Sequence, residues 1–438
     1  MKNVMIVIFM LALAVPALFA NGQKENASGA SQTQTQGVTK LTFWGWVPGF
    51  SRMVDLFNKT HPNISVDLQN VGAGTAEYNK LVTAAKAGSG APDVAEIEYS
   101  ELPTFEITHT LADMSKYGAG KYEPDHVPGI WQQVIQGNAI YGMPFDVGPV
   151  SMAYNEKLFS QYGLTVPTTW AEFAVDAQKL HQANPKAQIM DFWPADAQFL
   201  FSMMSQTGAH PFAWDGGTNV TINLTSPKAI KFADFWQRLI DSNEVAMVPD
   251  IQAQEWNGLD SGAIATAPLA AWGPKYFAPA AKQSVGDWRI VPLPQWASGD
   301  HFTPSWGGSA YVVTAQSAHQ KEATEFVSWL TSTLASWEIA VTPPTQDFPS
   351  MPAAQKLASF ENRTIPLTGS QKVEQPYIDA AADLKTIEWL PFMTYVSSKA
   401  SDTFNSVAEH KSTMEAAFQT LQNDLVSYAK AQGFTVHQ

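Results

Sequence analysis

Carboxylates and aromatic rings are the side chains of this 438-residue sequence that offer the most chemistry. The sequence contains 40 Asp and Glu residues together with 15 Trp, 12 Tyr and 24 Phe, and it contains no Cys. The missing Cys excludes disulfides, thiol catalysis, Cys-ligated zinc and iron–sulfur centres. Flat rings stack on the C–H faces of sugars, and a carboxylate can accept hydrogen bonds from two sugar hydroxyl groups. Part of this aromatic content belongs in the core, but flat rings are also what a sugar-binding cleft uses.

Motifs of the common catalytic sites are missing from the sequence. We find no Gly-x-Ser-x-Gly elbow, no His-Glu-x-x-His helix, no Walker loop and no Gly-x-Gly-x-x-Gly fingerprint. The nine His residues are scattered without the spacing of metal ligands. We therefore expect no metal, no cofactor and no catalysis. A secreted glycosidase remains an alternative, because such an enzyme needs only two carboxylates about 5 to 10 Å apart.

The charge of the chain limits its partners. It has 26 Lys and Arg against 40 Asp and Glu, a formal net charge of -14, and only four of the cations are Arg. A nucleic-acid surface needs a clustered basic face, so we expect no nucleic-acid partner. Scarce Arg also counts against anionic ligands, which favour the forked guanidinium group. The length and the 45% share of hydrophobic residues suit two domains, or one large domain, with full-sized cores.

The N-terminus is typical of an export signal. Lys2 provides a positive start and Val4–Phe19 is apolar, so residues 1–20 are predicted to be a signal peptide. Residues 21–37 are polar and rich in Gly, Ser, Gln and Thr, as in a flexible linker. A bacterial lipoprotein needs a Cys just after its signal. We therefore expect an exported protein, most simply periplasmic, that is soluble after cleavage and is not a lipoprotein.

Strand and helix patterns alternate at the start of the folded part. Short apolar strands are predicted at Leu41–Trp46, Ile64–Leu68 and Pro92–Ile97. Between them, apolar residues recur at helical spacing in Phe50–Phe57 and Tyr78–Ala85. This order predicts right-handed crossovers and a parallel sheet. Farther along, capping residues predict helices that begin near Thr169, Ser226 and Ser412.

Ligands of such a sheet bind beyond the carboxyl ends of its strands. This places Trp44 and Trp46 after the first strand, and Glu98 and Tyr99 after the third, at the edge where a ligand would lie. At most one of Trp44 and Trp46 is expected to face a cleft. The alternative for Glu98 and Tyr99 is that they lie in a solvated loop.

One long segment carries a family resemblance. Tyr141–Phe159, followed by Gly163–Phe173, resembles the segment that crosses between lobes in the extracellular solute-binding proteins of carbohydrate ABC importers, the maltose-binding-protein-like family. Further blocks are similar to that family in the same order: Leu41–Trp46, Phe57–Val66, Pro92–Val94, Gly262–Trp272, Trp288–Pro294 and Trp306–Ser309. The resemblance covers most of residues 39–430.

The resemblance implies a particular fold. It is an α/β, two-lobed periplasmic-binding-protein fold, type II-like, in which each lobe is a mainly parallel sheet flanked by helices and the ligand binds between the lobes. The N-terminal lobe would comprise 39–147 and 285–332, and the C-terminal lobe 151–280 and 336–435. The chain would cross between them at 147–152, 281–284 and 333–335.

The resemblance also implies site residues. Asp146, at the crossing, resembles the family Asp that grips a pair of sugar hydroxyls, and its alternative is a structural Asp at the hinge turn. Trp272 resembles the family's stacking Trp, with a core Trp as its alternative. Position alone adds Trp193, at a strand-to-helix turn, and Trp306, whose following Gly pair lets a ligand approach the backbone closely.

The expected function is an exported receptor, without catalysis of its own, that captures a neutral mono- or oligosaccharide and delivers it to an ABC importer. Its partners would be the carbohydrate and the permease subunits of the importer, and we expect a monomer. Three alternatives stay open. They are a secreted glycosidase, a receptor of this fold for a polyol or glycerol phosphate, and a partner of a sensor domain.

Overall fold

Two five-stranded sheets dominate the structure, a computed structural model that describes residues 37–438. The expected signal peptide (1–20) and the expected linker (21–37), apart from its last residue, lie outside the described residues. The strands are β1 (Thr39–Trp44), β2 (Ile64–Gln69), β3 (Val94–Glu98), β4 (Ile135–Gln136), β5 (Ala139–Ile140), β6 (Met143–Pro144), β7 (Val150–Asn155), β8 (Gln188–Asp191), β9 (Phe212–Trp214), β10 (Asn219–Ile222), β11 (Val245–Ala246), β12 (Ile264–Ala270), β13 (Trp288–Pro292), β14 (Thr303–Pro304), β15 (Ser309–Val313), β16 (Leu384–Lys385) and β17 (Thr435–His437). The α-helices are α1 (Phe50–Thr60), α2 (Thr75–Ala87), α3 (Leu102–Ile107), α4 (Pro128–Trp131), α5 (Glu156–Tyr162), α6 (Trp170–Ala183), α7 (Ala197–Ser205), α8 (Pro227–Asp241), α9 (Ala253–Ser261), α10 (Pro274–Phe277), α11 (Gln320–Ser332), α12 (Leu334–Ala340), α13 (Ala358–Glu361), α14 (Gln375–Ala381), α15 (Met393–Ala408) and α16 (Met414–Ala431).

The first sheet has the strand order β2-β1-β3-β15-β6. Its strand β1 pairs in parallel with β2 and β3, which confirms the predicted parallel start of the fold. Strand β15 runs antiparallel to β3 and β6 and so brings a distant part of the chain into this sheet. Helix α1 packs on the sheet through a buried apolar stripe, as its spacing predicts. The stripe consists of Phe50, Met53, Val54 and Phe57.

The second sheet has the strand order β11-β8-β12-β7-β13. Strand β8 is parallel to both β11 and β12, whereas β7 runs antiparallel to β12 and β13. Helices α6 and α8 begin as predicted, with Thr169 and Ser226 as their capping residues. For α16 the capping residue is Thr413 rather than Ser412, because the Thr413 hydroxyl accepts the hydrogen bond from the backbone N–H of Ala416.

Trp288–Pro292 differs from its expected lobe. The expected segment 285–332 grouped it with residues 39–147, but as β13 it pairs with β7 in the second sheet. Its apolar pattern suits either sheet, and only tertiary pairing decides which sheet such a strand joins. The free edge of β13 is covered by Gln371, whose amide accepts a hydrogen bond from the Ile290 N–H (2.9 Å) and donates one to the Ile290 carbonyl (2.7 Å).

Three chain segments run side by side between the two sheets. We call them the first, second and third crossings, and they are residues 145–149, 305–308 and 347–350. Backbone N–H groups join them by donating from Ser350 to the Phe145 carbonyl (2.8 Å), from Val147 to Phe348 (3.0 Å) and from Trp306 to Gly148 (2.8 Å). The expected crossing at 147–152 overlaps the first of these segments.

The structure differs from the other two expected crossings. Residues 281–284 lie between α10 and β13, and β13 still belongs to the second sheet. Residues 333–335 join α11 to α12, and both of these helices contact α1 on the first sheet. The chain therefore changes sheet about one element later in each case. Matching blocks reveal the order of the elements, but not the point between two blocks at which the chain leaves a sheet.

Helices α6 and α8 pack on the second sheet around Trp236. This ring is fully buried, stacks on Phe192 with centroids 3.9 Å apart and meets the edge of Trp170 at 5.4 Å. Close-packed rings in such a cluster leave little room for neighbouring side chains to collapse into a void. Trp170 and Trp236 are therefore core residues, as their helical positions predict.

We expect Trp236→Ala to lower the free energy of unfolding by about 3 to 5 kcal/mol, because a large buried ring is replaced by a cavity. Urea unfolding followed by circular dichroism measures this loss. Trp44→Ala, which removes a partly exposed ring, is the matched control and should cost about 1 kcal/mol. Equal losses in the two variants would contradict the assignment of Trp236 to the core.

Candidate ligand-binding cleft

The crossings bring together four of the predicted site residues, Tyr99, Asp146, Trp272 and Trp306, which we call the hinge cluster. The Tyr99 hydroxyl donates a hydrogen bond to the backbone carbonyl of Asp146 (3.0 Å). The Trp272 indole N–H donates to the backbone carbonyl of Trp306 (2.9 Å), and the two indole rings meet edge to face with centroids 4.9 Å apart. The crossings thus hold an aromatic floor between the two sheets.

Two glycines make this close packing possible. A Cβ atom at Gly148 would lie 1.9 Å from the Trp306 carbonyl oxygen and 3.3 Å from the Trp272 indole nitrogen. Gly307 has a φ of 73°, and a Cβ atom there would lie 3.0 Å from the same indole nitrogen. Because neither position has room for a side chain, the two glycines determine how closely Trp272 approaches the crossings.

Asp146 stabilises the first crossing. Its Oδ1 accepts a hydrogen bond of 2.6 Å from the backbone N–H of Ser309, and the residue is only 8% exposed. The bond ties the first crossing to the start of β15. This geometry fits the structural role that the sequence left open, in which Asp146 holds the hinge turn. Any contact with a ligand would be additional to that role.

A buried ion pair lies beside Asp146. The Lys275 ammonium group in α10 is 2.5 Å from Asp347 Oδ1 and also donates to the Thr345 carbonyl. Burial raises the pKa of Asp146 and that of Asp347, while Lys275 acts to lower both. The negative charge of Asp347 raises the pKa of Asp146 further. Since Asp347 holds the ion pair, Asp146 is the carboxyl group that takes up a proton more readily.

Trp46 and Glu98 form a second group on the first sheet. The backbone N–H of Trp46 donates to Glu96 Oε2 (3.0 Å), and the Trp46 ring meets the edge of Tyr78 at 6.1 Å. The Tyr78 hydroxyl in turn donates to Glu98 Oε2 (3.0 Å). Burial raises the pKa of Glu98, the Tyr78 hydrogen bond lowers it, and the charge of Asp196 raises it. Glu98 therefore lies within electrostatic reach of the second lobe.

Side chains meet across the space between the lobes. Gln198 in α7 donates to Ser100 Oγ, and the Thr394 hydroxyl donates to Glu101 Oε2 (2.9 Å). The central space that remains here is about 20 Å³, which is room for about one water molecule. Burial raises the pKa of Glu101 to about 7. The two lobes are therefore in contact, in a closed arrangement.

The last two predicted site residues lie farther from the hinge cluster. Trp193 is partly buried against the second core, just before α7, where Asp196 caps the helix by accepting a hydrogen bond from the Phe199 N–H (2.9 Å). Trp44 lies apart from the residues that line the central space: its indole N–H donates to Gln69 (3.3 Å) and its ring borders α2. Trp44 is the last residue of β1, whereas Trp46 lies beyond the end of the strand. The two side chains therefore lie in different surroundings.

Several residues that line the central space were not predicted from the sequence. Among them are Gln133 from the first lobe and Gln198 and Trp389 from the second. Trp389 precedes α15 in a segment without strand pattern, so no strand end pointed to it. One local signal was available in Trp389-Leu390-Pro391, where a large ring lies two residues before a Pro.

Within residues 37–438, no group of three or more His, Asp or Glu side chains is arranged to hold a metal ion. Nor does any helix in the range have the length and apolar character needed to cross a membrane.

Comparisons with known proteins agree on one family. The model of the family described as "Bacterial extracellular solute-binding protein" matches residues 45–335. An arabinooligosaccharide-binding protein of Halalkalibacterium halodurans is 27% identical over 318 residues, which is 67% of this chain and 67% of that protein. The residues matched by the family model include the second sheet, the first sheet apart from β1, and the first two crossings.

Two solved structures are similar over nearly the whole chain. The binding protein associated with an ABC transporter of B. animalis subsp. lactis Bl-04, in complex with β-1,6-galactobiose, has a TM-score of 0.79 at 29% identity and covers 92% of this chain and 100% of its own. The galacto-N-biose-/lacto-N-biose I-binding protein of Bifidobacterium longum, in complex with lacto-N-biose, has a TM-score of 0.80 at 24% identity and covers 92% and 99%. The predicted two-lobed α/β fold is confirmed.

Gly148→Ala should destabilise the protein by about 1 to 3 kcal/mol, because the added Cβ meets a backbone carbonyl that cannot move aside. Gly129→Ala is the matched control, since a Cβ atom at Gly129 has nothing within 4 Å. Thermal unfolding of both variants measures the difference, and Trp fluorescence reports whether the hinge cluster has moved. A Gly148→Ala protein as stable as Gly129→Ala would show that the crossings are loosely packed.

The raised pKa of Asp146 predicts a pH dependence of stability. The folded protein disfavours the ionised carboxylate, so stability falls as pH rises from the ordinary carboxyl pKa through the raised one. Asp146→Asn keeps the shape and removes this titration. We therefore expect the difference in melting temperature between about pH 5 and about pH 8 to be smaller in Asp146→Asn than in the wild type. Asp55→Asn, at an exposed carboxylate on α1, should leave that difference unchanged.

Proposed function

The chain belongs to the family of bacterial extracellular solute-binding proteins, and from this membership we propose that it is a sugar receptor. The receptor captures a neutral mono- or oligosaccharide between its two lobes and delivers it to an ABC importer. The observation that carries the proposal is the cleft at the crossings, where aromatic rings lie beside carboxylates and amides from both lobes.

The side chains of the cleft have the two chemistries that a sugar needs. Trp46 and Trp272 are partly exposed rings that can pack on C–H faces. Glu98 and Glu101 accept hydrogen bonds, while the Gln198 amide both donates and accepts. In the closed arrangement these polar groups bond to one another or to neighbouring hydroxyls. A sugar that enters the cleft would exchange such bonds for bonds to its own hydroxyl groups.

The Arg side chains support a neutral ligand. Each of the four is engaged elsewhere in the fold: Arg52 with carbonyls at the end of α12, Arg238 with Glu244, Arg289 with Glu156, and Arg363 with Glu374. None of these guanidinium groups is left for the forked binding that phosphates and uronates favour. Of the two ligands in the alternative receptor, the uncharged polyol is therefore supported over glycerol phosphate.

The relatives support the same class of ligand. The H. halodurans protein is named for arabinooligosaccharides, and the two solved structures hold β-1,6-galactobiose and lacto-N-biose. The particular saccharide differs from one relative to the next. We therefore carry over the class, a saccharide delivered to an ABC importer, and leave the identity of the sugar to binding measurements.

We propose that the protein binds without catalysis. The matching family is one of binding proteins rather than enzymes. Glu98 and Asp196 lie on opposite lobes, but Glu98 accepts the Tyr78 hydroxyl and Asp196 caps α7. A glycosidase needs one carboxyl group free to give a proton and another free to attack or to activate water. Because Glu98 and Asp196 already have hydrogen-bond partners, their arrangement supports a binding role.

For location and assembly we keep the expectations from the sequence as proposals. Residues 1–20 direct export and are removed, residues 21–37 act as a linker, and the protein works as a soluble, non-lipidated periplasmic monomer that meets the permease subunits of the importer. We propose lobe boundaries at the three crossings, 145–149, 305–308 and 347–350. Residues 285–304 then belong with the second lobe.

Trp272→Ala should weaken sugar binding by about 2 kcal/mol, or roughly 30-fold in Kd, because it removes a rigid aromatic contact from the floor of the cleft. A thermal-shift panel of neutral sugars identifies ligands, and calorimetric titration then measures the loss. Trp44→Ala, a partly exposed ring outside the cleft, is the control and should bind as the wild type does.

Other outcomes would point elsewhere. Normal binding by Trp272→Ala would remove the hinge cluster from the site. Release of reducing sugar during incubation would favour the glycosidase, and competition by phosphate esters would favour the glycerol phosphate receptor.

A further inference from the structure

We propose that the ligand is an oligosaccharide of at least two units whose outer unit occupies a separate cavity between Trp214 and Trp389. This inference rests on the proposed function and extends it to the length of the ligand and to the residues that hold its far end. The cavity, which we call the outer cavity, has a volume of about 430 Å³.

The outer cavity lies beside the central space, and Tyr99, Gln133 and Trp389 line both. In the proposed binding mode the ligand passes these three side chains from one space to the other. The central space is about 20 Å³ when the lobes are in contact, whereas the outer cavity stays open at about 430 Å³. Pockets that hold small ligands measure about 300 to 1,000 Å³. The outer cavity therefore has room for a sugar unit even in the closed arrangement.

Trp214 is a fixed ring in the wall of this cavity. It ends β9, and its indole N–H donates to the Gly217 carbonyl (2.8 Å) across the turn of its own hairpin. Its backbone N–H donates to Glu388 Oε2 (3.3 Å), which joins the hairpin to the segment before Trp389. Because the indole nitrogen already has its partner, what remains for a ligand is the apolar part of the ring. A ring whose orientation is fixed before binding suits stacking on a sugar.

The facing wall comes from the first lobe. Gln136 lies against the tip of the hairpin, since a Cβ atom at Gly216 would be 2.6 Å from its side-chain amide. Gln133 donates to the Ile387 carbonyl (3.4 Å) in the segment before Trp389. The outer cavity is thus bounded by both lobes, and a ligand in it would contact both at once. Occupancy of the cavity would favour the closed state.

The polar groups of the outer cavity match hydroxyl groups better than charges. Its lining includes the amides of Gln132, Gln133 and Gln136 and the carboxyl groups of Glu106 and Glu388, and no basic side chain. Amides can donate to and accept from hydroxyls, and carboxylates accept from them. An anionic group would be repelled by the two carboxylates. A purely apolar group would leave the Gln132 and Gln136 amides and the Glu106 carboxyl group without partners. A neutral sugar unit satisfies both conditions.

Calorimetric titration with two series of graded length tests the proposal: arabinose to arabinotetraose, and galactose to β-1,6-linked galactotriose. In the series that binds, the wild type should bind the longer members at least about tenfold more tightly than the shortest one. Trp214→Ala should lose at least about tenfold for the longer members and bind the shortest member as the wild type does. Gln136→Ala, on the other lobe, should show the same dependence on length. Trp44→Ala should match the wild type at every length.

The opposite results separate this inference from the proposed function. Equal wild-type affinity for all lengths, or a loss in both variants that is the same for short and long members, would overturn the outer site and leave the receptor function standing. If the wild type binds no member of these series or of a wider sugar panel, the proposed function fails as well. Should Trp214→Ala melt well below the wild type without ligand, Gln136→Ala decides the question.

Discussion

The cleft depends on one contact, the approach of Gly148 to the backbone of Trp306. The Trp306 N–H donates to the Gly148 carbonyl at 2.8 Å, and no space remains for a side chain at Gly148. The carbonyl of the same Trp306 accepts the indole N–H of Trp272. Packing of the crossings and placement of the aromatic floor are therefore a single feature. A ring anchored to the crossings keeps its position while the lobes on either side rotate about them.

Carboxylates in the cleft are held by neutral donors more than by cations. Glu98 accepts the Tyr78 hydroxyl, Asp196 accepts a backbone N–H at the start of α7, and Asp146 accepts the Ser309 N–H. Their acceptor oxygens are thus oriented before any ligand arrives, which reduces the ordering needed on binding. Burial nevertheless raises the pKa of each of these three groups, because the hydrogen-bond donors offset the loss of solvation only in part.

Sequence reasoning was sufficient where local patterns decide the structure. Short apolar runs predicted β1 and β3, apolar alternation predicted β2, and helical spacing predicted α1, because each of these patterns lies within a single element. It was insufficient where tertiary packing decides. Strand β13 suits either sheet by pattern and joins the second through its pairing with β7. Trp44 borders α2 rather than the central space, and β1 ends at that residue, a boundary that apolar alternation does not mark.

The same distinction explains the site residues. Asp146, Trp272 and Trp306 were found because they lie in segments that resemble a family, or beside Gly residues that allow close approach. Trp214 and Trp389 were missed because a hairpin and an irregular segment bring them together only in three dimensions. Family blocks preserve order but not spacing, so two of the three crossings were expected about one element too early.

Gln371 has a consequence for how molecules of this protein behave toward each other. An uncovered edge strand presents free N–H and carbonyl groups on which a neighbouring chain can build a further strand. On β13 the Gln371 amide already occupies both groups of Ile290, the residue at the middle of the strand. A second molecule would have to displace this side chain and lose two hydrogen bonds before its own backbone could pair there. Association of two molecules edge to edge through β13 is therefore disfavoured.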